Sequence, residues 1–143
     1  MTPETDHILN LSAMKLISEF APALGTQYGQ GMAQVVAVLM FLSAQEFERG
    51  AAIRAAENAD MRAVFAALAP QIGDAALRAE LQKAGAGTEG DLTISALNAV
   101  NADLRRLLIR LHAQLDDSGA DASAVWTVLK AMAARRTLSL PAL

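Results

Sequence analysis

The stretch Ile94–Leu115, ISALNAVNADLRRLLIRLHAQL, decides how this chain folds. Its apolar members Ile94, Leu97, Leu104, Leu108, Leu111 and Leu115 step by threes and fours, and Asn101 stands where one more is due. Residues so spaced lie on one side of a helix, and that side must meet another apolar surface. The periodicity therefore predicts a long helix over about 92–116, packed inside a helical assembly.

The same rhythm recurs upstream. Tyr28, Met32, Val35, Leu39, Leu42, Glu46, Arg49 and Ile53 repeat by threes and fours, and Val36, Met40 and Phe47 make a second row beside them. A helix apolar on several faces belongs at the centre of a bundle. A central buried helix is expected over about 27–56, with Leu39 and Met40 both buried on different sides. Whether it continues through 57–68 stays open, because Asn58 or Asp60 could cap a new helix and no proline intervenes before Pro70.

Shorter helices complete the pattern. One is expected from Thr5 to Phe20, with Ile8, Leu11, Leu16 and Phe20 as its stripe, ended by Pro22 and Gly25. Another spans Ala75–Ala84, capped by Asp74 and anchored by Leu77 and Leu81. The Gly85–Gly90 loop precedes the long helix, and a last helix, Ala122–Arg136, carries Val125, Leu129 and Met132. The expected fold is an all-α bundle of five to six helices in a single domain, residues 1–143, with helix 27–56 packed against helix 92–116.

Composition agrees with that class. Hydrophobic residues make up 53% of the chain and charged residues 19%, which argues against disorder. The net charge of −3 argues against general nucleic-acid binding. The absence of cysteine excludes disulfides, thiolate metal ligands and a thiol nucleophile. Met1–His7 is polar and acidic, unlike a secretory leader, so a cytoplasmic location is expected. Met32–Ala44 is the most apolar run and is too short for a bilayer, so no membrane span is expected.

Catalytic motifs are lacking. A Gly-x-Ser-x-Gly elbow and a phosphate loop with lysine are both absent, and Gly85–Gly90 follows no strand. A di-iron bundle needs paired Glu-x-x-His steps; Glu4–His7 is one, near a terminus, and His112 has Ile109 in the required place. Neither a metal nor a cofactor is expected. Asp103 and Arg106 read as a solvated ion pair, and Arg135 and Arg136 suit a helix C-terminus. Trp126 falls at the edge of a core stripe.

Four residues are candidate ligand contacts: Tyr28, Glu46, Arg49 and Asn101. Glu46 and Arg49 continue an apolar stripe, so they are either a polar pocket at the bundle's end or an ordinary pair where the helix emerges. Asn101 contacts a ligand or a symmetry mate, or else bonds to a neighbouring helix of its own subunit. Three function classes follow. The first is a non-enzymatic interaction module working as a homodimer, the second a binder of an apolar small molecule between helices, and the third an enzyme of unknown reaction.

Overall fold

The computed structural model describes residues 4–140, and these are helical throughout their ordered elements with no strand among them. In chain order they are α1 (Thr5–Lys15), a π-helical turn (Leu16–Phe20), α2 (Ala21–Ala23), α3 (Gln27–Leu68), a 3-10 turn (Ala69–Gln71), α4 (Ala75–Gly85), α5 (Ile94–Ser118) and α6 (Ser123–Arg135). The all-α bundle is thus observed. The long helix lies where its stripe placed it, and α3 continues unbroken through 57–68 until Pro70 removes an amide donor.

Local chemistry sets the boundaries. Thr26 Oγ1 accepts the amide of Gly29 at 3.1 Å and so caps α3. Asp74 Oδ1 takes the amides of Ala76 and Leu77, capping α4. Thr93 caps α5 through the amide of Ala96, and Asp121 accepts from the amide and hydroxyl of Ser123 at the start of α6. α5 ends at Gly119, whose φ of 66° lies in the left-handed region that a glycine enters without a Cβ clash.

Two compact units emerge. The first takes in the described residues up to Gly50 together with those after Thr137. Its interior is small: Ala13 on α1 packs with Ala37 and Phe41 on α3, flanked by Leu16, Ile17 and Met40. Ala33 and Ala44 are buried on the same side of α3. Small side chains let two helices approach closely, so the alanine row, not the row of large residues, is the one that faces inward. Gln45 closes the unit at its other end, donating to the Ser139 carbonyl at 2.7 Å and accepting from the Ser139 amide at 3.1 Å.

This arrangement corrects three expectations. Leu39 is 56% exposed rather than buried, while Met40 is half-buried. Tyr28, Met32, Val35 and Val36 share the open side with Leu39. On α1, Ile8, Leu11 and Phe20 point outward, and Ala13, Leu16 and Ile17 face α3 instead. The π-helical turn alters the register before Phe20, so a strict 3.6-residue count misplaces that ring.

The second unit, Ala51–Thr137, holds the main core. Met61, Val64, Phe65 and Leu68 of α3 meet Leu77 and Leu81 of α4, Leu104, Leu107, Leu108, Leu111 and Leu115 of α5, and Val125, Val128 and Met132 of α6. The α5 stripe is buried from Leu97 to Leu115, as its periodicity predicts, with Ile94 half-buried at its start. His112 and Trp126 join α5 to α6 edge-to-face, with ring centroids 5.1 Å apart. No described helix is long and apolar enough to cross a membrane.

Candidate functional site

Three features have the geometry to do something: an open apolar face in the first unit, and a buried polar cluster and a surface groove in the second.

The open face belongs to α3. Its buried alanines point toward α1, and on the opposite side Tyr28, Met32, Val35, Leu39 and Leu42 recur in steps of four and three. That is a heptad stripe, the spacing that lets one helix pack along another. Tyr28 is 80% exposed, and Met32, Val35 and Leu39 are each about half open. The run Phe20–Gln45 holds no charged residue, so nothing ionic interrupts the face before Glu46 and Arg49 close its end. Glu46 is half-buried and Arg49 exposed. Of the four candidate contacts, Tyr28, Glu46 and Arg49 therefore share one helix face. Tyr28 and Glu46 are separated by eighteen residues, about 27 Å of helix. Those two do not converge on one pocket within a subunit.

Asn101 lies in the second unit, where its surroundings are polar. Its Nδ2 donates to Asn58 Oδ1 at 2.9 Å and to Glu57 Oε2 at 3.1 Å. Arg136, at the end of α6, grips the same carboxylate in a fork, Nε to Oε1 at 2.7 Å and Nη2 to Oε2 at 2.6 Å. Glu57 and Asn58 are fully buried and Asn101 is 4% exposed. Burial pushes the Glu57 carboxyl up. The Arg136 bonds and charge, the Asn101 bond and the charge of Arg105 together outweigh it and hold the group below its ordinary range. Arg135 pairs with Asp60 a turn further along α3. The amide nitrogen of Asn101 is thus matched by α3 of its own subunit, and through Glu57 and Arg136 the cluster ties α3, α5 and the end of α6 together.

Glu57 is the functional-looking residue the sequence reading missed. The α3 stripe continues Ile53, Glu57, Met61, Val64 and Leu68, so an acid sits in an apolar row just as Asn101 does on α5. Two polar residues interrupting two facing stripes are a legible sign of a contact between them. Ending the helix at Ala56 hid it by one residue.

The groove lies between α4 and α5, about 510 Å³ in volume, with Ala84, Leu104 and Leu107 as its floor. Arg62, Lys83, Arg106 and Arg110 line it, with Glu80 and Asp103 at the rim. Arg110 forks onto Glu80, whose carboxyl is held down chiefly by that hydrogen bond, and Arg106 pairs with Asp103. Arg62 donates to the Ala84 carbonyl at 2.7 Å and to Glu89, while its Nε is buried without a partner. Cations outnumber anions on these walls.

Among the described residues no group of three or more His, Asp or Glu side chains could hold a metal ion. Comparison with protein-family models, curated proteins and solved structures gave no match.

Proposed function

We propose that this chain is a non-enzymatic interaction module that works as a homodimer, joined through the open face of α3. One observation carries the reading: the heptad row Tyr28–Leu42 points away from the subunit's own packing partner and is uncharged. Half-open side chains of this size leave roughly 80–100 Å² each, so Tyr28, Met32, Val35, Val36, Leu39 and Phe47 expose about 500 Å² of apolar surface. A standard interface covers about 800 Å² per partner, a little over half of it non-polar, so the face has the area of an interface core. Symmetric pairing is the commonest way for one chain to cover such a face.

Sedimentation equilibrium at micromolar concentration tests it. The wild-type chain is expected at twice its monomer mass, and Leu39→Lys at monomer mass with unchanged helical content. A wild-type chain that stays strictly monomeric removes the proposal.

The groove favours a second reading, a binder of a small apolar molecule that also carries a negative charge. Its apolar floor, and Lys83 as the cation over once Arg62, Arg106 and Arg110 are matched by Glu89, Asp103 and Glu80, support that choice over a neutral ligand. This reading places the ligand on Arg62, Lys83 and Leu107 rather than on Tyr28, Glu46, Arg49 and Asn101. A monomer that co-purifies with such a compound would favour it.

A further inference from the structure

We infer that the two α3 helices of the dimer run antiparallel, with the two-fold axis midway between Val35 and Leu39, so that Tyr28 of one subunit meets Glu46 of the other. This rests on the homodimer reading above and specifies its geometry. In a parallel pair, equivalent residues of a heptad face each other. Glu46 would then stack on Glu46 of the partner subunit, and Arg49 on Arg49 of the partner subunit. Like charges at the seam destabilise such a pairing.

Reversing one helix resolves each of these. The row is spaced so that Met32 falls opposite Leu42 of the partner subunit and Val35 opposite Leu39 of the partner subunit. Tyr28 then falls opposite Glu46 of the partner subunit. Every layer between the ends is apolar against apolar. At each end a phenol donates to a carboxylate, which can accept several hydrogen bonds at once. A shift by one heptad one way would set Glu46 against Val35 of the partner subunit and Arg49 against Met32 of the partner subunit; a shift the other way would set Tyr28 against Leu39 of the partner subunit and carry Leu42 and Glu46 past the start of the partner helix, so a single register satisfies the whole row. The flanking positions Gly29, Gly31, Val36, Val38, Ser43 and Gln45 carry no charge, so they leave orientation to the ends.

Disulfide trapping tests orientation independently of association. The chain has no cysteine of its own. Single variants Met32→Cys and Leu42→Cys and the double variant are oxidised at micromolar concentration and read on a non-reducing gel. In the antiparallel pair the two copies of residue 32 are ten residues apart along the seam, about 15 Å, beyond disulfide reach. The double variant is therefore expected to form covalent dimer, and each single variant at least tenfold less. Single variants that cross-link as well as the double overturn the orientation while leaving the homodimer standing. If the reduced double variant sediments as a monomer, Tyr28→Cys with Glu46→Cys gives the same comparison at the ends of the row. A dimeric chain in which neither double variant cross-links also overturns it. A monomeric wild type, seen first by sedimentation, overturns the dimer itself.

Discussion

Replacing Asn101 with leucine separates a polar cluster that holds the second unit together from one that is merely accommodated. Leucine restores the apolar row of α5, and by pattern alone it should stabilise the protein. The contacts say otherwise. Asn58 Oδ1 loses its donor at 2.9 Å, and Glu57 loses a hydrogen bond at 3.1 Å, while both residues remain fully buried. An unsatisfied buried acceptor costs about 1–3 kcal/mol, and a bond to a charged group contributes about 1.5–3 kcal/mol. The fork from Arg136 still neutralises Glu57, and the added apolar burial returns about 1–2 kcal/mol. The net loss is about 2 kcal/mol. Urea unfolding followed through Trp126, the sole tryptophan, reads the change where α5 meets α6. With a slope of about 1–3 kcal/mol per molar for a protein of this size, the midpoint should fall by about 1 M at unchanged slope. A midpoint equal to or above that of the wild type would refute the account and show the asparagine dispensable.

Leu108→Ala, in the middle of the same buried row, should lower stability by about 2–5 kcal/mol; a loss no greater than that of an exposed substitution would misplace the core. Arg136→Ala should cost about 1–3 kcal/mol, less than a wholly interior pair because water reaches the arginine side chain, which is 43% exposed, and Arg136→Lys should restore only part of it. The Glu57 carboxyl is held below its usual 4.5, so its stabilising contribution is complete above that pH and disappears as the pH falls through the lowered folded value. Acid unfolding of Glu57→Gln should accordingly show a weaker dependence on pH below 4.5 than the wild type. Gly119→Ala should lose about 1 kcal/mol, measured by thermal unfolding, because alanine must adopt a left-handed backbone there.

The second unit was legible because its helices obey one rule: large apolar residues at three- and four-residue spacing point inward. Leu97, Leu104, Leu108, Leu111 and Leu115 follow it without exception. The first unit inverts the rule. Its inward residues are Ala13, Ala33, Ala37 and Ala44, whose weak hydrophobic signal was outvoted by the valines and leucines on the far side of α3. Periodicity locates an apolar stripe but not which surface covers it, and here the larger stripe is open in the subunit. Asn101 was visible as an anomaly, yet its partners were not. Glu57 is 44 positions away and Arg136 lies on a third helix, and only the packing of α3, α5 and α6 brings them together.

The clasp between Gln45 and Ser139 spans 94 positions of chain. A ribosome adding roughly 5–20 residues per second delivers the glutamine on the order of ten seconds before its partner. The second unit, by contrast, is one uninterrupted segment of sequence, complete by the time Thr137 emerges. Synthesis therefore completes the segment that holds the larger core before Ser139 is added, and the earlier-made helical pair waits for its clasp until then. Stopping translation just before Ser139 would remove its bonds to Gln45 and so act 94 positions upstream of the cut.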